Sequence, residues 1–321
     1  MKNKSTVLLS VLAVVGIILI FVLANELKDS KVKQQEIADG NIEAVLDDID
    51  IAHNPPSIDD VPDGPEGDAI KRGYALMMDT SNELRKKAET SDGEEVMSQL
   101  ACTSCHAGAG LDEGVSSLVG VTTKYPAYRS RNDKIATIED RINGCMVRSM
   151  NYAEFEDGDE DLSAMVAYLS YISEGIPQGA DLPWLGKNEV DEVPIPNVDK
   201  GNSIFQQSCI ACHATDGAGS GPTTGPALWG EGSFNDGAGM GRMSKMTGFV
   251  QKNMPKTDPG SLTPQEAADV SAFILSQERP EFENSDEDWP DGDGPKDIMN
   301  KEKQQQVKEG SIDWEKVLGH K

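Results

Sequence analysis

The chain has 321 residues, 29 Lys and Arg against 55 Asp and Glu, a formal net charge of −26, and five cysteines. So acidic a surface excludes nucleic acid as a partner, because phosphate binding needs clustered positive charge. The length allows about two domains, and an aromatic content of 5% gives each few rings from which to build a core.

The chain opens with Lys2 and Lys4, followed by an uncharged, mainly apolar run from Thr6 to Ala24. That run is close to the length that crosses a bilayer as a helix and longer than the apolar core of a cleaved leader. Residues 1–25 are therefore expected to be an N-terminal membrane anchor, with cleavage near Ala24 as the alternative. In either case the lysines stay cytoplasmic and the rest is exported, to the periplasm or cell exterior. Residues 26–68 hold 13 acids and 3 lysines and read as a solvated acidic linker.

Two C-x-x-C-H motifs follow, "CTSCH" (Cys102, Cys105, His106) and "CIACH" (Cys209, Cys212, His213). This is the attachment signature of c-type haem. The two thiols form thioethers with the vinyl groups, and the histidine reaches the iron from one side. A redox dithiol or half a zinc site are the plainer readings, but two matches behind an export signal leave them little room. Two covalently bound haems are expected, and porphyrin then supplies much of the core that aromatics do not.

The surroundings of the motifs repeat. "EEVMSQLACTSCH" places Val96, Met97, Leu100 and Ala101 on one helical face, and "GNSIFQQSCIACH" places Ile204, Phe205, Ser208 and Cys209 likewise. Each motif leads to a Gly-rich loop and a closing helix. In "DLSAMVAYLSYIS", Leu162, Met165, Val166 and Leu169 form the stripe. In "TPQEAADVSAFILS", Thr263, Pro264 and Glu266 form an N-cap set, with Val270, Phe273 and Ile274 as the stripe. The arrangement resembles the class I cytochrome c fold, twice over. The expected class is mainly α, with two tandem haem domains at 69–176 and 200–280. A Pro- and Gly-rich linker at 177–199 joins them across one face of both. Residues 281–321 hold 12 acids and 6 lysines and read as an acidic C-terminal tail.

Each iron has a second axial position, and its ligand tunes the centre. In the second domain the candidates are Met240, Met243, Met246 and Met254. Met254 stands before Pro255 and the closing helix, 41 residues past His213, and is favoured; Lys252 is a weak competitor. Pro226 in "GPALWG" is placed to accept the N–H of His213. In the first domain the candidates are Cys145, Met146, Met150 and Met165. Cys145 lies 39 residues past His106, and an unpaired thiol in an oxidising compartment invites a use. It sits in a basic island, Lys124, Arg129, Arg131, Lys134, Arg141 and Arg148, whose guanidinium forks suit small oxyanions.

With these residues in place, the chain resembles the dihaem thiosulfate dehydrogenases. The resemblance runs through "CTSCH", "YPAYRSRNDKIATIEDRINGCMVRSMN", "MVAYLSYIS", "CIACH", "GPALWG", "SFNDGAGMGRM", "KNMP" and "RPEF…DWPDGDGPKD", over roughly residues 69–298. It implies that His106 and Cys145 ligate haem 1, and His213 and Met254 haem 2. It implies that Arg131 and Ser149 contact substrate, with Arg141 and Arg148 as helpers. Asn253 stands where some relatives carry a lysine that competes for the iron, so Met254 is expected to serve throughout. The implied reaction joins two thiosulfates into tetrathionate through a transient adduct on Cys145. Electrons pass from haem 1 to haem 2 and on to an external cytochrome or other acceptor, and the reverse reaction, tetrathionate reduction, uses the same parts. Two rival readings are a membrane-tethered electron carrier without a substrate of its own, and a cysteine S-thiosulfotransferase component that needs a carrier protein.

Overall fold

The computed structural model describes residue 28 and residues 51–88, 98–186 and 188–320. The expected anchor at 1–25 and most of the acidic linker lie outside the described residues. Among the described residues no helix is long and apolar enough to cross a membrane. Both haem-motif regions belong to one compact unit, His53–Gln178 with Leu182–Lys321.

This unit is built on two helix pairs. In the first, α1 (Pro65–Ala88) crosses a later helix, α3 (Glu160–Tyr171). Pro65 at the first position and acids in the first turn suit a helix start. The crossing is tight at Gly73, where an added Cβ would lie 2.0 Å from Ala164 O. Arg72 ties the pair together by donating to Asp161 at 2.8 Å and to Glu83 at 2.5 Å. In the second, α4 (Val198–Ser208) crosses α7 (Pro264–Leu275), and an added Cβ on Gly201 would lie 1.9 Å from Asp269 O. Phe205, with no exposed surface, packs among Trp229 and Phe273 at centroid distances of 5.0 and 5.4 Å. Burying a side chain of that size stabilises the domain by about 1.5–3 kcal/mol. The capping box at Thr263 and Glu266 forms as the sequence suggests.

In the chain, between α1 and α3, lie a two-stranded hairpin, β1 (Ala127–Arg129) with β2 (Lys134–Ala136), and α2 (Ile138–Arg148). The one-turn helix α5 (Ile210–His213) carries the second motif, and α6 (Met243–Asn253) precedes α7. The chain ends in α8 (Lys301–Glu309) and α9 (Trp314–Leu318).

Three expectations are corrected. No helix runs into the first motif over its described residues: Ser98–Ala101 is irregular, and Cys102–Ser104 forms a single 3-10 turn. The helix that pairs with α3 is α1, which ends at Ala88, well before the motif in the chain. It also begins inside the stretch read as linker. Its kink at Asp79 brings Thr80 to the motif, where the Cys102 N–H donates to Thr80 Oγ1 at 3.0 Å. The C-terminal stretch, read as a solvated tail, is packed along much of its length. Phe282, Met299 and Val317 are buried, the Phe282 N–H donates to Asp236 at 2.7 Å, and the Met243 and Met299 N–H groups pair with Asp297 O and Gly241 O at 3.0 and 2.9 Å. Average composition concealed these few apolar anchors. It also concealed the use of the acids, two of which, Asp288 and Asp297, pair with arginines elsewhere in the fold.

Candidate functional site

In each motif the ring orientation of the histidine follows from one hydrogen bond. His106 Nδ1 lies 2.6 Å from Ser116 O, and His213 Nδ1 lies 2.8 Å from Pro226 O. A carbonyl can only accept, so Nδ1 carries the proton in both rings and Nε2 is left with a lone pair for a metal. Burial keeps both rings neutral, pushing His106 down to about 4 and lowering His213. All five cysteines are unpaired. Burial raises the thiols of Cys102 to about 11, Cys105 to about 12 and Cys209 to about 11. Two unpaired thiols beside one imidazole with a free Nε2 fit a covalent c-type haem, and the set occurs twice. Among the described residues no cluster of three or more His, Cys, Asp or Glu side chains forms a metal-ion site.

The first motif faces α2. Cys145 is half-buried there, and its charge would bear on Cys102, Cys105 and Arg141. One turn earlier, Arg141 donates to Cys145 Sγ at 2.8 Å, the (i, i+4) geometry of a helix. The Cys145 sulfur is the largest influence raising the Arg141 pKa. Tyr125, buried at the cis Tyr125–Pro126 bond, shares its hydroxyl between Arg129 and Arg141. Ser149 caps α2, its N–H donating to Cys145 O at 2.8 Å. Met146, Met150 and Met165 are almost fully buried, as core residues are.

Two further arginines converge on one carboxylate. Arg148 donates to Asp288 at 2.6 Å and Arg131 lies 3.7 Å from it, while the Asp288 side chain is 4% exposed. Aromatic faces cover both guanidiniums, Trp289 over Arg131 at 4.2 Å and Phe282 over Arg148 at 4.4 Å. Arg131 also donates to Gly237 O at 3.0 Å. Burial pushes the Arg131 pKa down to about 10; Asp288 opposes this, and Arg148, Arg141 and Arg242 add to it. The arginines therefore share one positive field, which a bound anion would offset. Arg148 is itself 8% exposed and contributes charge from behind, whereas Arg131 is the more accessible. Asp288, Trp289 and Phe282 were missed in the sequence because they lie far along the chain in a stretch whose acidity suggested solvent. The Trp-Pro turn within "DWPDGDGP" was the available signal.

The second motif faces a different surface. Met254 caps α6 and is half-buried, its N–H donating to Val250 O at 2.9 Å ahead of the cis Met254–Pro255 bond. Met243 and Met246 are buried core residues. Arg242 is engaged by Glu189 and Asp297 at 2.8 and 3.3 Å. No thiol accompanies this motif beyond its own pair.

Comparison with known proteins agrees with this division. Residues 89–178 match the family model described as SoxA/TsdA, cytochrome c domain, and residues 198–278 match the one described as cytochrome c. A thiosulfate dehydrogenase of Psychrobacter arcticus is 38% identical over 74% of this chain and 72% of its own length. The chain belongs to the thiosulfate dehydrogenase family. A second member, from Allochromatium vinosum, is 35% identical over 70% of this chain and 83% of its own. The solved thiosulfate dehydrogenase (TsdBA) from Marichromatium purpuratum, in its "as isolated" form, superposes with a TM-score of 0.64 at 32% identity. That match covers 71% of this chain and 49% of the solved one, so this chain spans about half of that longer polypeptide. The two cytochrome c domains carry two covalent haems c.

Proposed function

We propose that the protein oxidises two thiosulfates to tetrathionate at Cys145 and passes the two electrons through its haems to an external acceptor. The observation that carries this reading is the Arg141 guanidinium 2.8 Å from Cys145 Sγ, beside the first haem motif and in a field of further arginines. Arg141 donates to the sulfur, and Arg131 with Arg148 offsets the repulsion between two dianions. Cys145 Sγ forms a bond to the terminal sulfur of one thiosulfate as two electrons leave, giving a Cys–S–S–SO₃⁻ adduct. The terminal sulfur of the second thiosulfate attacks the sulfur attached to Cys145. The Cys145 thiolate departs and tetrathionate is complete, with no net proton change. Run backwards, the same steps reduce tetrathionate.

When bound, the haems supply one-electron acceptors that empty the site. His106 and Cys145 would ligate the first iron, and His213 and Met254 the second. The half-buried position of Cys145 beside Cys102 and Cys105 supports the first pair, and the placement of Met254 at the end of α6 supports the second. The chain is exported, and the apolar run from Thr6 to Ala24 tethers it to the membrane; fractionation of the full-length protein checks this.

The test is anaerobic mixing of the dihaem protein with thiosulfate and ferricyanide, without any carrier protein. Tetrathionate should accumulate at one per two ferricyanides reduced. Electron transfer without sulfur product would favour a plain electron carrier, and a strict need for a carrier protein would favour a thiosulfotransferase.

A further inference from the structure

The two proximal histidines are held by unlike devices. The acceptor for His213 is the carbonyl of Pro226, whose ring fixes its own φ. The acceptor for His106 is the carbonyl of Ser116, which adopts φ +50°. That left-handed conformation is strained for any residue but glycine, and such residues persist only where their surroundings hold them. Serine offers what glycine lacks, a hydroxyl, and the hydroxyl is engaged: Asn188 Nδ2 donates to Ser116 Oγ at 2.5 Å.

The other end of the same amide points to the second haem domain. Asn188 Oδ1 accepts from Asn253 Nδ2 at 3.3 Å, and Asn253 is the last residue of α6, directly before Met254. Asn188 and Asn253 are 8% and 7% exposed, so water would replace these bonds poorly. The backbone of Asn188 is fixed as well. An added Cβ on Gly248 of α6 would lie 2.0 Å from Asn188 O, and the Val190 N–H donates to Ser244 O at 3.3 Å. The linker is thus pressed against α6 at the point where its side chain reaches both sites.

We infer that Asn188 is a positioning residue shared by the two haem sites. One half of its amide holds Ser116, and with it the carbonyl that orients His106. The other half holds Asn253, and with it the start of the Met254 loop. Hydrogen bonds behind the ligands set ring orientation and basicity, and so the potential of the iron they hold. The inference rests on His106 and Met254 serving as iron ligands.

The test uses the full-length dihaem protein, with both haems verified by intact mass. A redox titration followed by absorbance and electron paramagnetic resonance reads the two centres separately. Asn188→Leu should shift the midpoint potentials and low-spin signals of both haems. Ser116→Gly, which suits the left-handed backbone and should fold well, should shift haem 1 alone, and Asn253→Ala haem 2 alone. In the Ser116→Gly background, Asn188→Leu should add nothing at haem 1, whereas a general loosening of the fold would add a second shift. The inference is overturned if Asn188→Leu leaves either centre at its wild-type potential, or if Ser116→Gly leaves haem 1 unmoved. Met254→Ala is the separate control: a native haem 2 signal in that variant removes the ligand assignment, while the haem 1 arm is read independently of it.

Discussion

The two haem domains repeat one helix crossing and differ in what is built upon it. Gly73 against Ala164 and Gly201 against Asp269 are the same contact made twice. In the second domain α4 leads directly into the motif, the proximal acceptor is a proline carbonyl, and the candidate distal ligand is a methionine. In the first domain the described residues just before the motif are irregular, the acceptor sits on a strained serine, and Cys145 lies amid arginines on α2. The arginines of the first domain are completed by residues from beyond the second, Phe282, Asp288 and Trp289. A compact cytochrome is thus sufficient for relaying electrons, while the chemistry we propose adds a thiol and converging cations.

The largest effect expected from breaking this division is at Cys145. Cys145→Gly should acquire both haems, because attachment uses only the four motif cysteines. Thiosulfate oxidation should fall on the order of 10³-fold or more, as when a nucleophile is removed. Rate measured against haem content decides the matter, and full loading with near-wild-type turnover would make Cys145 a bystander. Met254→Ala is the counterpart in the second domain. Its low-spin spectrum should lose the methionine features of haem 2 with haem 1 intact, and turnover should slow less than in Cys145→Gly. An unchanged spectrum would transfer the role to Met240, Met243 or Met246.

The shared crossing predicts a symmetrical cost. Gly73→Ala and Gly201→Ala each place a methyl group inside a backbone carbonyl contact, so the helices must separate. Overpacking of this kind costs about 1–3 kcal/mol, readable by denaturant unfolding of the dihaem protein. A penalty at one glycine and none at the other would show that the crossings are not equivalent.

How far the sequence could be read follows the same line. The second domain was legible almost throughout, because its helix, motif, capping box and Pro226 lie close together in the chain and local rules reach them. In the first domain the motif and Cys145 were legible as chemistry. The partner helix was not, because α1 ends at Ala88, well before the motif in the chain, and the apolar spacing ahead of the motif suggested a helix where Ser98–Ala101 is irregular. Asp288, Trp289 and Asn188 act over separations that no periodicity reports. Their surroundings are acidic or linker-like, so composition pointed the wrong way for the first two and said nothing of the third.

The smallest predicted effect isolates the borrowed carboxylate. If Arg131 meets thiosulfate, Asp288 competes with the dianion for that charge while also bracing Arg148. Asp288→Asn keeps an acceptor for Arg148 at nearly the same shape and removes only the negative charge. One unit charge some 4 Å away is worth about 1 kcal/mol in water-like surroundings, so KM for thiosulfate should fall about fivefold. The haem 2 spectrum should not change, since nothing in the second motif touches this group. Added salt should shrink the difference, because a screened charge loses its reach. A KM that rises instead would mean that Asp288 serves to hold the guanidiniums in position and that its charge is offset by theirs. The carboxylate would then belong to the framework of the first domain, and its competition with substrate would be negligible.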